Sequence, residues 1–109
     1  MTRSAPMREL ERMLAGESRL VLLAFLHDGC EPCRELGPQL HVLAEAAADV
    51  CRVVVVDATI EEDIARRYRV TTFPTLVFVK QGHELQRVKG GALPATTLAA
   101  LERTSDLAP

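Results

Sequence analysis

The chain has 109 residues, of which 48% are hydrophobic and 26% are charged, with a formal net charge of −2. This length and composition indicate one globular domain over residues 1–109 with a core of its own. The weak negative charge argues against nucleic acid as a partner, and the longest apolar run, Leu20 to Leu26, is too short to span a membrane. We find no apolar signal segment near the start of the chain, so we expect a cytoplasmic location.

The first third of the chain predicts a helix followed by a strand. An apolar stripe at helical spacing runs from Met7 to Leu14, Ser4 can cap this helix, and Gly16 can end it. The run from Leu20 to Leu26 is apolar on both faces, which predicts a central strand that is covered on each side.

The middle of the chain predicts a long helix, a strand and a short helix. Helical periodicity covers residues 31–48, with Pro38 inside the pattern, where it predicts a kink. Val53 to Val56 predicts a second strand that is buried on both faces. Thr59 and Glu62 are spaced as a capping box, which predicts the start of the short helix.

The last third predicts a hairpin and a final helix. Thr75 to Val79 and Glu84 to Val88 read as strands joined by a tight turn at Gln81-Gly82, so they must be antiparallel. Pro94 opens the final predicted helix. This order of elements predicts an α/β fold: a central mixed sheet of about four strands, flanked by helices on both faces.

Cys30 and Cys33 stand where the first predicted strand leads into the long helix. The first turn of a helix has unpaired N–H groups and the positive end of the helix dipole, which favour a thiolate on Cys30. Residues three apart share a helix face, so the two sulfurs can reach each other, and Pro32 costs little in a first turn. The pattern predicts a disulfide that forms and breaks reversibly.

Two other interpretations of the cysteines are a structural dithiol and half of a zinc site. A structural zinc site usually needs four ligands, and the chain has no second cysteine pair. His27 is near in sequence, but His41 and His83 have no metal-ligand spacing to it. We therefore predict no metal site. Cys51 begins a predicted strand and is interpreted as a core residue.

The sequence resembles the thioredoxin family from about Leu14 to Glu102. The resemblance is carried by Val21 to Phe25, Cys30-Glu31-Pro32-Cys33, Pro38, Tyr68-Arg69-Val70, Phe73-Pro74-Thr75, Lys80-Gln81-Gly82 and Gly90. It implies the thioredoxin fold and thiol–disulfide exchange, with no cofactor beyond the Cys30–Cys33 disulfide. It also implies a monomer that acts on protein disulfides and is reduced by a partner such as a thioredoxin-reductase-like flavoprotein.

The resemblance implies a role for each matching site residue. Cys30 matches the exposed nucleophile that attacks a target disulfide, and Cys33 matches the resolving cysteine. Pro74 matches a cis-proline beside the active site, which leaves Phe73 able to present backbone groups to an extended substrate strand. Gly90 matches a glycine on the rim of that groove. The full set of expected substrate-binding residues is Gly29, Glu31, Pro32, Phe73, Pro74 and Gly90.

The chain also departs from the family pattern near the cysteines. Gly29 stands where a tryptophan is usual, and Glu31 replaces the usual glycine. Ala24 and Val55 occupy the positions of a buried aspartate and of the lysine that often accompanies it. In the family that aspartate is implicated in proton transfer at the resolving cysteine, so we expect slow resolution here. We also expect Glu31 to repel a Cys30 thiolate and thus to raise the Cys30 pKa.

Two functions remain open at this point. The first is a thiol–disulfide oxidoreductase, most simply a protein-disulfide reductase. The second is a thioredoxin-fold binding or chaperone module with little redox turnover, which the altered surroundings of Cys30 keep open. Three neighbouring residues are equally open: His27 and Asp28 are either solvated loop residues or groups that tune Cys30 or hold a proton, and Phe73 faces either the core or the substrate.

Overall fold

The computed structural model describes residues 5–90, which form one mixed four-stranded sheet with helices packed on it. In chain order the elements are α1 (Ala5–Gly16), β1 (Leu20–Leu26), α2 (Glu31–Ala46), β2 (Cys51–Asp57), α3 (Glu62–Arg67), β3 (Thr75–Lys80) and β4 (His83–Lys89). The strand order is β2-β1-β3-β4; β1 is parallel to β2 and antiparallel to β3, and β3 is antiparallel to β4. The predicted fold class is confirmed. The predicted cap at Ser4 and the final helix from Pro94 lie outside the described residues.

Strand β1 is buried because its side chains alternate between two apolar clusters. The odd-numbered residues from Val21 to Phe25 pack with α1 and α3 on one face of the sheet. The even-numbered residues from Leu20 to Ala24 pack with α2 on the other face. Since successive side chains of a strand point to opposite faces, a strand covered on both sides must be apolar throughout. The predicted cover of helices on both faces is confirmed.

Strand β2 is less buried than the sequence predicted. Within residues 5–90 it is an edge strand, and Val55 exposes 54% of its surface, whereas Val56 is buried. Val53 and Val54 are partly exposed. The prediction of burial on both faces was wrong, because four β-branched residues favour a strand without specifying which neighbours cover it.

Helix α3 begins without the predicted capping box. Its N-cap residue is Glu61, whose side chain makes no capping hydrogen bond. Thr59 Oγ1 instead accepts the backbone N–H of Asp28 at 2.8 Å. This hydrogen bond ties the loop after β2 to the loop after β1. The capping prediction was wrong because the threonine hydroxyl has a partner far away in sequence, which a local pattern cannot show.

The β3–β4 hairpin agrees with the prediction. Gln81 and Gly82, the two turn residues, both have positive φ angles, of 50° and 82°, as a two-residue turn between twisted strands requires. The register shifts between Phe78 and Val79, which places Leu85 of β4 between paired residues and leaves it 44% exposed. Within the described residues, none of the helices has the length and apolar character needed to cross a bilayer.

The two apolar clusters predict a large difference between buried and exposed leucines. Leu22 of β1 is fully buried, so we expect Leu22→Ala to lower the free energy of unfolding by about 2–5 kcal/mol. The same change at the exposed Leu85 should lower it by less than about 1 kcal/mol. Urea unfolding of both variants measures the difference, and equal losses would contradict the assigned position of β1.

Candidate active site

The two cysteines of the motif lie at the start of α2 and are joined by a disulfide, with their Cα atoms 5.2 Å apart. Cys30 is the N-cap residue of the helix, and its extended backbone directs the sulfur over the first turn. There the Cys33 N–H donates to Cys30 Sγ at 3.2 Å. Pro32 lies in the same turn, as predicted. The N–H group and the helix dipole favour a thiolate on Cys30 once the disulfide is reduced.

The two sulfur-bearing residues differ in exposure. Cys33 is only 3% exposed and packs on the buried side of α2, whereas Cys30 is partly exposed at the end of the helix. An incoming disulfide can therefore reach Cys30 while Cys33 stays shielded. This difference matches the roles that the family resemblance implies for the two residues.

The segment before β3 packs against Cys30. The Phe73–Pro74 peptide bond is cis, and the Phe73 carbonyl oxygen lies 3.7 Å from Cys30 Sγ. Pro74 is fully buried, and its carbonyl oxygen accepts the Gly90 N–H at 3.0 Å. Gly90 is exposed and has a φ of +87°, a conformation that favours glycine. Three of the predicted substrate-binding residues are thus brought together beside the exposed sulfur.

Gly29 is explained by backbone geometry rather than by crowding. Its φ is +74°, which side-chain-bearing residues rarely adopt. A β-carbon there would meet no group within 4 Å apart from its neighbours in sequence. The glycine therefore allows the chain to turn from the loop into α2 and leaves open space next to Cys30.

Two contacts in the site were missed by the sequence analysis. The His27 ring lies against the Phe73 ring, with centroids 5.0 Å apart. Phe73 is partly exposed, and it also packs against the apolar cluster on the α1 and α3 face of the sheet. Glu31 forms an ion pair with Arg34 on the exposed first turns of α2. The second contact follows a three-residue helical spacing and could have been found. The first joins segments far apart in the chain and leaves no local signal.

A solvent-open cavity of about 310 Å³ adjoins Cys33, and neither Phe73 nor Pro74 lines it. It is lined by Cys33 and Arg34 from α2, His27 and Asp28 from the preceding loop, and Asp57 at the end of β2. Ala24 is fully buried and pairs in register with Val55, which also borders the cavity, so these two positions carry no ionisable group. Two aspartates line the cavity, Asp28 in the loop and Asp57 at the end of β2, so only the Asp57 carboxylate belongs to a residue of the sheet.

The third cysteine, Cys51, is explained by its surroundings. Cys51 is buried in the cluster under α2 and is unpaired, and burial raises the pKa of its thiol to about 11. It packs in the core, as predicted. Over residues 5–90, no group of three or more His, Cys, Asp or Glu side chains is placed to hold a metal ion.

A dithiol–disulfide pair at a helix start, beside a cis-proline, defines a redox protein of the thioredoxin-fold class. The family model described as Thioredoxin matches residues 3–103, so the chain belongs to the thioredoxin family. Thioredoxin-2 of Saccharomyces cerevisiae is 33% identical over 93 residues, which cover 85% of this chain and 88% of that protein. Thioredoxin-T of Drosophila melanogaster is 35% identical over 80 residues, 73% of this chain. The chain matches only 51% of the length of Thioredoxin-T and 54% of Thioredoxin H2 of Arabidopsis thaliana.

Solved structures show the same fold. Fasciola hepatica thioredoxin superposes with a TM-score of 0.79 at 31% identity, covering 91% of each chain. The oxidised form of mitochondrial thioredoxin 3 from Saccharomyces cerevisiae gives a TM-score of 0.79 at 27% identity, covering 89% of each chain. Both likenesses extend over nearly the whole chain rather than over the motif alone.

The Glu31–Arg34 pair predicts opposite effects of its two charges on Cys30. At about 7 Å and an effective dielectric constant of about 40, a unit charge changes the thiolate energy by about 1 kcal/mol, a little under one pKa unit. We expect Glu31→Gln to lower the Cys30 pKa by that amount, Arg34→Gln to raise it, and the double variant to change it little. Thiolate absorbance titrated against pH measures all three.

Salt provides the control for this electrostatic explanation. Both side chains are more than two-thirds exposed, so high salt should reduce both single-variant shifts. A Cys30 pKa that stays constant or rises in Glu31→Gln would contradict it and would leave Glu31 as a helix-start residue.

Proposed function

We propose that this protein reduces protein disulfides by thiol–disulfide exchange, with Cys30 as the nucleophile and Cys33 as the resolving residue. The observation that carries the proposal is the disulfide between a partly exposed Cys30 and a buried Cys33 beside the cis Phe73–Pro74 bond. The family membership supports it, and the binding-module alternative is not favoured, because both cysteines of the exchange reaction are present and paired.

The proposed reaction has two exchange steps. The Cys30 thiolate attacks a target disulfide, forms a mixed disulfide with one target sulfur, and expels the other as a thiolate that takes up a proton. Cys33 then loses its proton, and its thiolate attacks Cys30 Sγ. The Cys30–Cys33 disulfide forms, and the second target sulfur leaves with the electron pair and is protonated. The target is reduced by two electrons, and the protein dithiol is oxidised.

We propose that the target lies as an extended strand across the exposed edge beside Cys30. Phe73 and Gly90 border this edge, Pro74 supports it from below, and Gly29, Glu31 and Pro32 border it on the side of α2. The Phe73 carbonyl oxygen lies 3.7 Å from Cys30 Sγ, which supports a contact with the backbone of the residue attached to the target sulfur. The open space at Gly29 supports approach of a bulky target from that side.

The proposal extends to the reducing partner, the oligomeric state and the cellular location. Family membership implies protein disulfide substrates and a reducing partner in general terms. We propose a thioredoxin-reductase-like flavoprotein as that partner, acting on a monomer in the cytoplasm. The equilibrium constant of the Cys30–Cys33 couple with glutathione separates this reductase role from an oxidase or an inert dithiol.

The direct test of the function is turnover of a protein disulfide. We expect the wild-type protein to accelerate insulin reduction by dithiothreitol, and we expect Cys30→Ser and Cys33→Ser each to abolish the acceleration. Cys33→Ser should also trap mixed disulfides through Cys30, whereas Cys51→Ala should leave turnover unchanged. Full activity of Cys30→Ser would refute the assignment of the nucleophile.

Limited alkylation tests the difference between the three thiols. In the reduced protein near neutral pH we expect Cys30 to react first, Cys33 slowly, and Cys51 not until the protein unfolds. The reason is that Cys51 is buried and its thiol, with a pKa of about 11, remains protonated. Mass spectrometry of peptides from timed samples gives the order, and early labelling of Cys33 or Cys51 would contradict it.

A further inference from the structure

The second exchange step requires a place for the proton of Cys33. The thiolate is the attacking species, and Cys33 is only 3% exposed, so burial disfavours its charged form. Since burial disfavours the thiolate, its formation near neutral pH is a barrier to the resolving step, and the cavity beside Cys33 gives the proton a path out. A base within reach through a short path would remove this barrier.

The strand beneath the active site provides no such base. Ala24 lies on the α2 face of β1 and is fully buried in the cluster that also holds Leu36 and Leu40. Its partner on β2, Val55, is apolar as well. The cavity that adjoins Cys33 leads to other groups that can accept the proton.

Asp57 is the best-placed acceptor in that cavity. It is the last residue of β2, is partly buried, and pairs in register with Leu26 at the end of β1. Its Oδ1 atom accepts the Thr59 N–H at 3.0 Å, which holds the carboxylate against the turn after β2. The cavity of about 310 Å³ has room for several water molecules, each of which occupies about 30 Å³ in the liquid.

The other charged or titratable groups around the cavity are less suited to this role. His27 and Asp28 are exposed members of a loop, and a proton on His27 Nδ1 can be donated to the Asp28 carbonyl oxygen at 2.9 Å. Arg34 is always protonated and cannot accept a proton, and it pairs with Glu31.

We propose that Asp57 accepts the proton of Cys33 through water in this cavity during the resolving step. The Cys33 S–H bond breaks, its electron pair stays on sulfur, and the proton passes by way of water to the carboxylate. In the reverse direction Asp57 returns the proton to Cys33 when the disulfide is opened. The inference rests on the proposed function, since it assigns a group to one of its steps.

The test separates the two exchange steps in time. One equivalent of the chromogenic disulfide dithiobis(nitrobenzoate), mixed with reduced protein, releases one coloured thiolate when Cys30 attacks and a second when Cys33 resolves the mixed disulfide. Cys33→Ser should show the first phase alone, which identifies the phases. Both are recorded by stopped flow across a range of pH for the wild type, Asp57→Asn and the matched control Asp28→Asn.

The expected result is selective for the second phase. Near neutral pH, Asp57→Asn should slow it by about tenfold to a hundredfold and leave the first phase unchanged. At strongly alkaline pH its rate should approach that of the wild type, because hydroxide then removes the Cys33 proton without the carboxylate. Asp28→Asn should match the wild type at every pH. In the Asp57→Asn background, Ala24→Asp should restore the second phase, since it places a carboxylate on β1.

Two different results would overturn either the role of Asp57 or the proposed function. A second phase in Asp57→Asn with the wild-type rate and pH profile, or equal slowing by Asp28→Asn, would overturn the assignment of Asp57. Asparagine retains an acceptor for the Thr59 N–H; should circular dichroism show that Asp57→Asn is unfolded, Asp57→Ser is measured in its place, with the same expected result. A wild-type protein with no second phase would refute the proposed function itself, whatever the variants do.

Discussion

The burial of β1 on both faces determines where the chemistry of this protein takes place. β1 pairs in parallel with β2 and antiparallel with β3, so the carboxyl ends of β1 and β2 and the start of β3 meet at one edge of the sheet. Cys30 follows β1, Asp57 ends β2, and Pro74 precedes β3. The strand packs in its two apolar clusters as far as Leu26, and the chain becomes exposed from His27, so the loop and α2 begin at this edge. The site is therefore a consequence of strand order, in the manner of other α/β sheets.

Two kinds of electrostatic effect act on Cys30: one comes from a backbone group that is fixed in position, and the other from charged side chains that are exposed to solvent. The Cys33 N–H is fixed by the helix backbone at 3.2 Å from the sulfur and favours a thiolate in any solvent. The Glu31 and Arg34 charges lie on exposed side chains, where an ion pair contributes about 0–1 kcal/mol and is screened by salt. Since the two charges have opposite signs, their effects on the sulfur largely cancel. The helix start is thus the dominant influence, and the charged pair is a smaller, salt-dependent correction.

Hydrophobic periodicity predicted the helices and strands because the apolar face of each packs against other apolar side chains along its length. The stripe of α1, the apolar run of β1 and the turn at Gln81-Gly82 all depend on local geometry, and all are found. Two predictions failed where the outcome depends on distant parts of the chain. Val55 is exposed because β2 is an edge strand within residues 5–90, and Thr59 holds Asp28 rather than capping α3. For Val55 and Thr59 the sequence predicted the correct region of the fold but not the groups that each residue contacts.

In the site, too, features set by local sequence were predictable, whereas contacts between distant segments were not. The Cys30–Cys33 pair and Pro74 are recognisable from the sequence, because motif spacing places them at element boundaries. The contact of His27 with Phe73 could not be predicted, because tertiary packing alone brings the loop after β1 against the segment before β3. At Gly29 the absent side chain leaves open space next to Cys30, while the His27 and Phe73 rings contact each other at a tilt of 40°. The space beside Cys30 is therefore open at Gly29, whereas the side chains of His27 and Phe73 pack against each other.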